Sequence, residues 1–199
     1  MARTGRRPGG SDTRTEIVDA ARAQFAEQGY DATSLRAIAR AAAVDPALVH
    51  HYFAGKSALF AEVMQLPLDP ATVLPAVLDV PLDELGRSLT RFFLGLWESP
   101  ESGAQMLAWV RVGLASEEAT AQLRGFVTAE ILARFAARLP DQSSAARRAA
   151  LAATQLIGAA IGRYLIRAEA LVALDLEEYV DAVSAVVQAH LTGPVAAPG

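Results

Sequence analysis

Apolar residues recur at helical spacing along nearly the whole of this 199-residue chain, and no stretch alternates with period two over a convincing length. That pattern constrains the fold more than any other feature, because a sheet needs strands that bury alternate side chains. It predicts an all-α protein. Ile17, Ala20, Ala21 and Phe25 lie on one face of a first helix, with Gly29 as its stop signal. Thr33 or Ser34 can cap a second helix carrying Leu35, Ile38 and Ala39. Asp45 ahead of Pro46 starts a third, which runs to about Tyr52 or Phe53, and Gly55 precedes a fourth with Leu59, Phe60 and Val63 on one side.

Pro67, Pro70, Pro75 and Pro81 then punctuate a segment that reads as the boundary between two modules. Beyond it run Leu82 to Glu98, Gly103 to Ala115, Glu117 to Leu139, Ser144 to about Ala168 and Leu176 to Leu191, all apolar with helical period. The expected division is a flexible basic arm (1–10), a helix-turn-helix domain (11–66), a helical body (67–192) and a disordered tail (193–199).

The net charge of −4 divides unevenly. Residues 1–60 hold eight basic and six acidic side chains; the remainder holds ten and sixteen. Any nucleic-acid contact therefore belongs to the first third. The absence of cysteine excludes disulfides, thiolate metal sites and a cysteine nucleophile, and fits a reducing cytoplasm. Ser11 to Glu16 is polar where a secretory signal needs an apolar run. Ala149 to Ile166 is barely long enough to span a membrane and contains Gln155 and Arg163, which suits a buried helix better. A small helical enzyme is disfavoured: only three histidines, no nucleophile–base pair, no phosphate loop. Neither a cofactor nor a metal is expected; His50 and His51 are adjacent on a helix and point apart. A helical adaptor for protein partners is the remaining rival class.

Leu35, Ile38 and Ala39 can meet Val44, Leu48 and Val49 across Ala41 to Ala43, with Ile17, Ala21 and Phe25 closing the back. Such a knot fixes the steep crossing of a helix-turn-helix and leaves one face of the third helix free for the major groove. The run TRTEIVDAARAQFAEQGYDATSLRAIARAAAVDPALVHHYFAGKSALFAEV, Thr13 to Val63, resembles the TetR-family DNA-binding domain almost position for position. The matching pieces include Ala-Ala-x-x-x-Phe with Gly29-Tyr30, Thr33-Ser34-Leu35, Ile38-Ala39, Val44 to Leu48, His51-Tyr52-Phe53 and Lys56-Ser57-x-Leu59. Ala43 stands where glycine is common and His50 where tyrosine is common; Ala43 is harmless if the turn keeps a negative φ.

The resemblance implies a dimeric transcriptional regulator, a repressor released from a palindromic operator by a small, largely apolar effector. It implies phosphate contacts at Thr33 and Ser34, base-facing positions at Asp45, Pro46, Ala47, His50 and His51, and a phosphate-contacting pair in Tyr52 and Lys56. Tyr52 as a core aromatic and Lys56 as a solvated charge are the alternatives. Arg3, Arg6 and Arg7 can follow a minor groove or serve as solubilising charge. For the body, the bulky side chains Phe93, Trp97, Met106, Trp109, Phe126 and Tyr164, with Arg111 and Gln155 as polar anchors, are the candidate effector contacts; each can equally be core. Ala149 to Ile166, with Gly158, Ala159, Ala160 and Gly162, and Leu176 to Leu191 resemble in position the helix pair that dimerises in that family. A buried intrachain helix is the alternative.

Overall fold

The computed structural model describes residues 10–113 and 117–193. Every element among them is helical: α1 (Gly10–Ala32), α2 (Leu35–Ala41), α3 (Pro46–Tyr52), α4 (Lys56–Val63), α5 (Pro70–Leu78), α6 (Leu85–Glu98), α7 (Pro100–Gly113) and α8 (Glu117–Phe126). A π-helical stretch, Val127–Leu132, joins α8 to α9 (Ala133–Ala137). Then come α10 (Gln142–Ala160), a second π-helical stretch (Ile161–Ile166), α11 (Glu169–Val172) and α12 (Leu176–Thr192).

Short side chains set five of the starts. Ser34 Oγ accepts from the N–H of Ala37, and Asp45, Asp69 and Asp141 accept from the N–H two residues on, each meeting a donor the helix itself leaves unpaired. Asp175 and Glu178 close a capping box, at 2.8 and 3.0 Å. Gly29 interrupts α1 with φ 78°, a conformation that glycine adopts without penalty.

Two cores follow. The first packs Ile17, Ala21, Phe25, Tyr30, Ile38, Ala39, Val49, Phe53, Leu59 and Phe60 of α1–α4. Phe126, from α8, completes it: its ring stacks on Phe60 at 4.6 Å and meets Tyr30 edge-on at 5.3 Å. One residue of the body thus belongs to the N-terminal core, across the expected division at 66/67. The second core is built from α5, α6, α9, α10 and α12, with Leu85, Leu89, Leu94, Ala149, Ala152, Val180, Val183 and Val187 at its centre. There Gly86 is required: a Cβ would lie 2.7 Å from Gln188, whose side-chain oxygen accepts the Gly86 N–H.

The proline-punctuated segment carries a helix, α5. Pro70 occupies the first turn of α5, where its missing N–H loses nothing, and Leu74 and Leu78 enter the second core. Pro75 lies inside α5 and removes only the bond to the carbonyl of Ala71. Ser57 Oγ donates to Asp69 at 2.5 Å and ties this helix to α4. The run Gln142–Ile166 is long and apolar enough to cross a membrane, yet here it packs against α12 and α6.

Candidate DNA-binding face and ligand cavity

On α3 the side chains divide by face. Val49 is fully buried, whereas Asp45, Pro46, Ala47, Leu48, His50 and His51 are exposed. Leu48, expected in the apolar knot, instead faces outward, because Val44 and Val49 already fill the space against α2. Ser34 is exposed at the start of α2, and Arg36 and Arg40, four residues apart, share that helix's outward face. These two arginines were not among the expected contacts, although their helical spacing was the signal that marks them.

Thr33 behaves otherwise. It is 2% exposed, and its hydroxyl donates to the carbonyls of Gly29 (2.7 Å) and Gln24 (3.1 Å), so it satisfies the end of α1 rather than facing a phosphate. Lys56 is likewise turned inward. Its ammonium donates to the carbonyls of Tyr30 (2.8 Å), Thr33 (3.1 Å) and Asp31 (3.4 Å), and lies 4.3 Å from the Tyr30 ring centre. A cation at the carbonyl end of a helix is favourably placed, and here it locks the α1–α2 turn. Tyr52 is half-buried at the edge of the first core, with His51 edge-on at 5.2 Å. Ala43, in the turn, has φ 54°; the condition for its being harmless is not met, since an L-residue pays for that conformation. Arg3, Arg6 and Arg7 lie outside the described residues.

The body holds a half-open cavity of about 320 Å³. Its wall includes Phe92, Phe93, Leu96, Trp97, Met106, Leu123, Phe126, Val127, Ile131, Phe135, Leu156 and Ile157, and the segment Leu66–Pro67–Leu68 closes one side. Four expected residues therefore meet at one space: Phe93, Trp97, Met106 and Phe126. Gln155 and Tyr164 are not in the wall. The Tyr164 hydroxyl donates to Glu98 at 2.7 Å; burial and that carboxylate push its pKa well above the ordinary phenol value. Arg163, beside Tyr164, spends its guanidinium on the carbonyls of Leu171 and Leu174. The side chains of Trp109 and Arg111 lie outside the described residues.

Phe126 links the two features. It is fully buried, forms part of the first core and backs the cavity. Four residues on, Glu130 accepts a hydrogen bond from the Tyr30 hydroxyl at 2.7 Å, and the phenol is held protonated by burial and by that carboxylate. No local sequence pattern marks either contact.

Residues 17–63 match the model for bacterial regulatory proteins of the tetR family, and residues 83–191 match that for a tetracyclin repressor-like C-terminal domain. The second match alone spans more than half of the chain. The chain belongs to the TetR family. As a TetR-family member it is a DNA-binding transcriptional regulator with an N-terminal helix-turn-helix. It is 38% identical over 52 residues to the regulator UidR of Escherichia coli K12, which is 26% of this chain and 26% of UidR. Identity to BetI of Rhizobium meliloti is 32% over 109 residues, 53% of this chain and 54% of that protein. A TetR-family regulator from Streptomyces coelicolor A3 is 31% identical, with 94% of this chain and 98% of that one covered at a TM-score of 0.47. The stretch shared with UidR is thus about a quarter of each protein.

Proposed function

We propose that this TetR-family regulator is a cytoplasmic repressor that binds a palindromic operator as a homodimer and leaves it when a small, largely apolar molecule occupies the cavity. The observation that carries the reading is the shared position of Phe126, which joins the core beneath α3 to the wall of the cavity. A ligand that prefers a different setting of that wall biases the pose of the DNA-binding helices by its differential affinity. Ser34, Asp45, Pro46, Ala47, His50 and His51, joined by Arg36 and Arg40, form the proposed DNA face, with Tyr52 at its border. Thr33 and Lys56 serve as its internal supports.

Dimerisation is supported by an outward stripe of small and apolar residues. Leu151, Thr154 and Gly158 on α10, and Ala182, Val186 and Ala189 on α12, are exposed at helical spacing without a charge among them. Ala159, by contrast, is packed in the second core, so its replacement would test folding rather than assembly. Two copies double the base contacts, which one recognition helix needs to discriminate among genomic sites.

In vitro selection from random duplexes is expected to return an inverted repeat with half-sites about 34–36 Å apart. His51→Glu should abolish that binding with the melting temperature unchanged. Leu151→Arg should give a folded monomer by light scattering, with much weaker operator affinity. A selection that enriches no inverted repeat would sink the repressor reading.

A further inference from the structure

The cavity is not closed within one chain. Most of its described wall is buried or half-buried, but Ile157 and Thr120 are exposed, Ile157 by 48%, and they mark the open side. An isoleucine that lines a ligand cavity and also faces solvent leaves part of an apolar site wet. On α10, Ala153 and Ile157, four residues apart, lie on one ridge and line the cavity. Ala150, Thr154 and Gly158 form the neighbouring ridge and are exposed. The outward strip proposed above to join two copies therefore runs beside the open side of the cavity.

Chemistry limits what can cover that side. Residues 149–162 carry no charged side chain. The arginines that bound this run turn inward: Arg148 donates to the carbonyls of His190, Leu191 and Gly193, and Arg163 to those of Leu171 and Leu174. The Thr154 hydroxyl donates to the Ala150 carbonyl at 2.9 Å, and a Cβ placed on Gly158 would meet nothing within 4 Å. A cover therefore needs no charge and gains from close apolar packing. The same strip on a second copy has that character, and a two-fold axis presents it from both sides at once. We infer that the cavity is completed by a second copy of this chain, whose α10 lies over Ile157 and forms part of the wall. The inference rests on the readings of the chain as a homodimer and of this cavity as the effector site. It makes the site a property of the pair: a ligand held between two chains favours the assembled form by linkage, and a lone chain holds it less tightly.

The chain has no cysteine, so one introduced thiol can be followed alone. Ile157→Cys samples the rim, Ala153→Cys the less exposed wall beside it, and Glu27→Cys, exposed on α1, is the reference. Reaction of the full chain with an aryl disulfide is timed, with light scattering at the same protein concentration. In the dimer both wall thiols are expected to react at least about tenfold more slowly than after dissociation, because exchange depends on access, and the Glu27→Cys rate should not change. Dissociation is obtained by dilution and, separately, by Leu151→Arg on α10 and Val186→Arg on α12, both exposed positions, so the test does not depend on any one variant folding. A dimer in which either wall thiol reacts as fast as in the monomer overturns the inference and leaves the homodimer standing. Protection that survives dissociation comes from the same chain and overturns it too. A wild-type protein that is monomeric at micromolar concentration overturns both.

Discussion

The two cores are built from the same kinds of residue and put to opposite ends. The first, beneath α3, is closed by four aromatic rings, Phe25, Tyr30, Phe60 and Phe126, at centroid separations of 4.6 to 5.8 Å. In the body five rings, Phe92, Phe93, Trp97, Phe126 and Phe135, line a cavity instead of closing on one another. A surface that must meet DNA in one register needs a filled support, because close packing transmits position. A site that must admit a ligand forgoes part of that packing, since a void leaves its lining without dispersion partners on one side. Apolarity alone therefore says little about rigidity; filling does.

The sharpest break is Phe126→Ala. If the ring belongs to the first core, its loss should destabilise by about 3–5 kcal/mol in urea unfolding. A loss near 1 kcal/mol would mean that the two regions are independent. Next come paired enlargements. Ala21→Leu, in the filled core, should cost about 1–3 kcal/mol through overpacking. Ala153→Leu, in the cavity wall, should instead be tolerated or stabilise by up to about 1 kcal/mol while weakening ligand binding. Equal penalties at both positions would erase the contrast. The smallest effect concerns the turn between α2 and α3. Ala43→Gly relieves a left-handed backbone and should stabilise by about 1 kcal/mol, seen as a higher midpoint at unchanged slope.

The starts of α2, α3 and α12 were legible because Ser34, Asp45 and Asp175 act on their own neighbours. So was the outward face of α3, from the alternation of Val49 with His50 and His51. Thr33 and Lys56 were not, because their hydrogen bonds depend on where the end of α1 arrives, which no local pattern carries. The helix α5 was not legible for a related reason: Pro70 and Pro75 break helices in general, yet one sits at a helix start and the other removes a single bond. The cavity had no signature either. A residue facing a void and one facing a neighbour look alike in sequence, so four of the eight expected contacts fell in the wall and Gln155 and Tyr164 outside it. Phe126 was named for its ring and found in a second role, since nothing at position 126 points to residues 25–60.

That role also fixes an order of events during synthesis. The helices proposed to carry the DNA face are complete by Leu66, but the ring that closes their core is about 60 residues further along. At roughly 5–20 residues per second, the ribosome delivers it about 3–12 s later. A chain ended at Leu66 is then a module with one wall open, and limited proteolysis should cut it readily where the full protein resists. The half that would touch the genome matures only once much of the half that would govern it has been made.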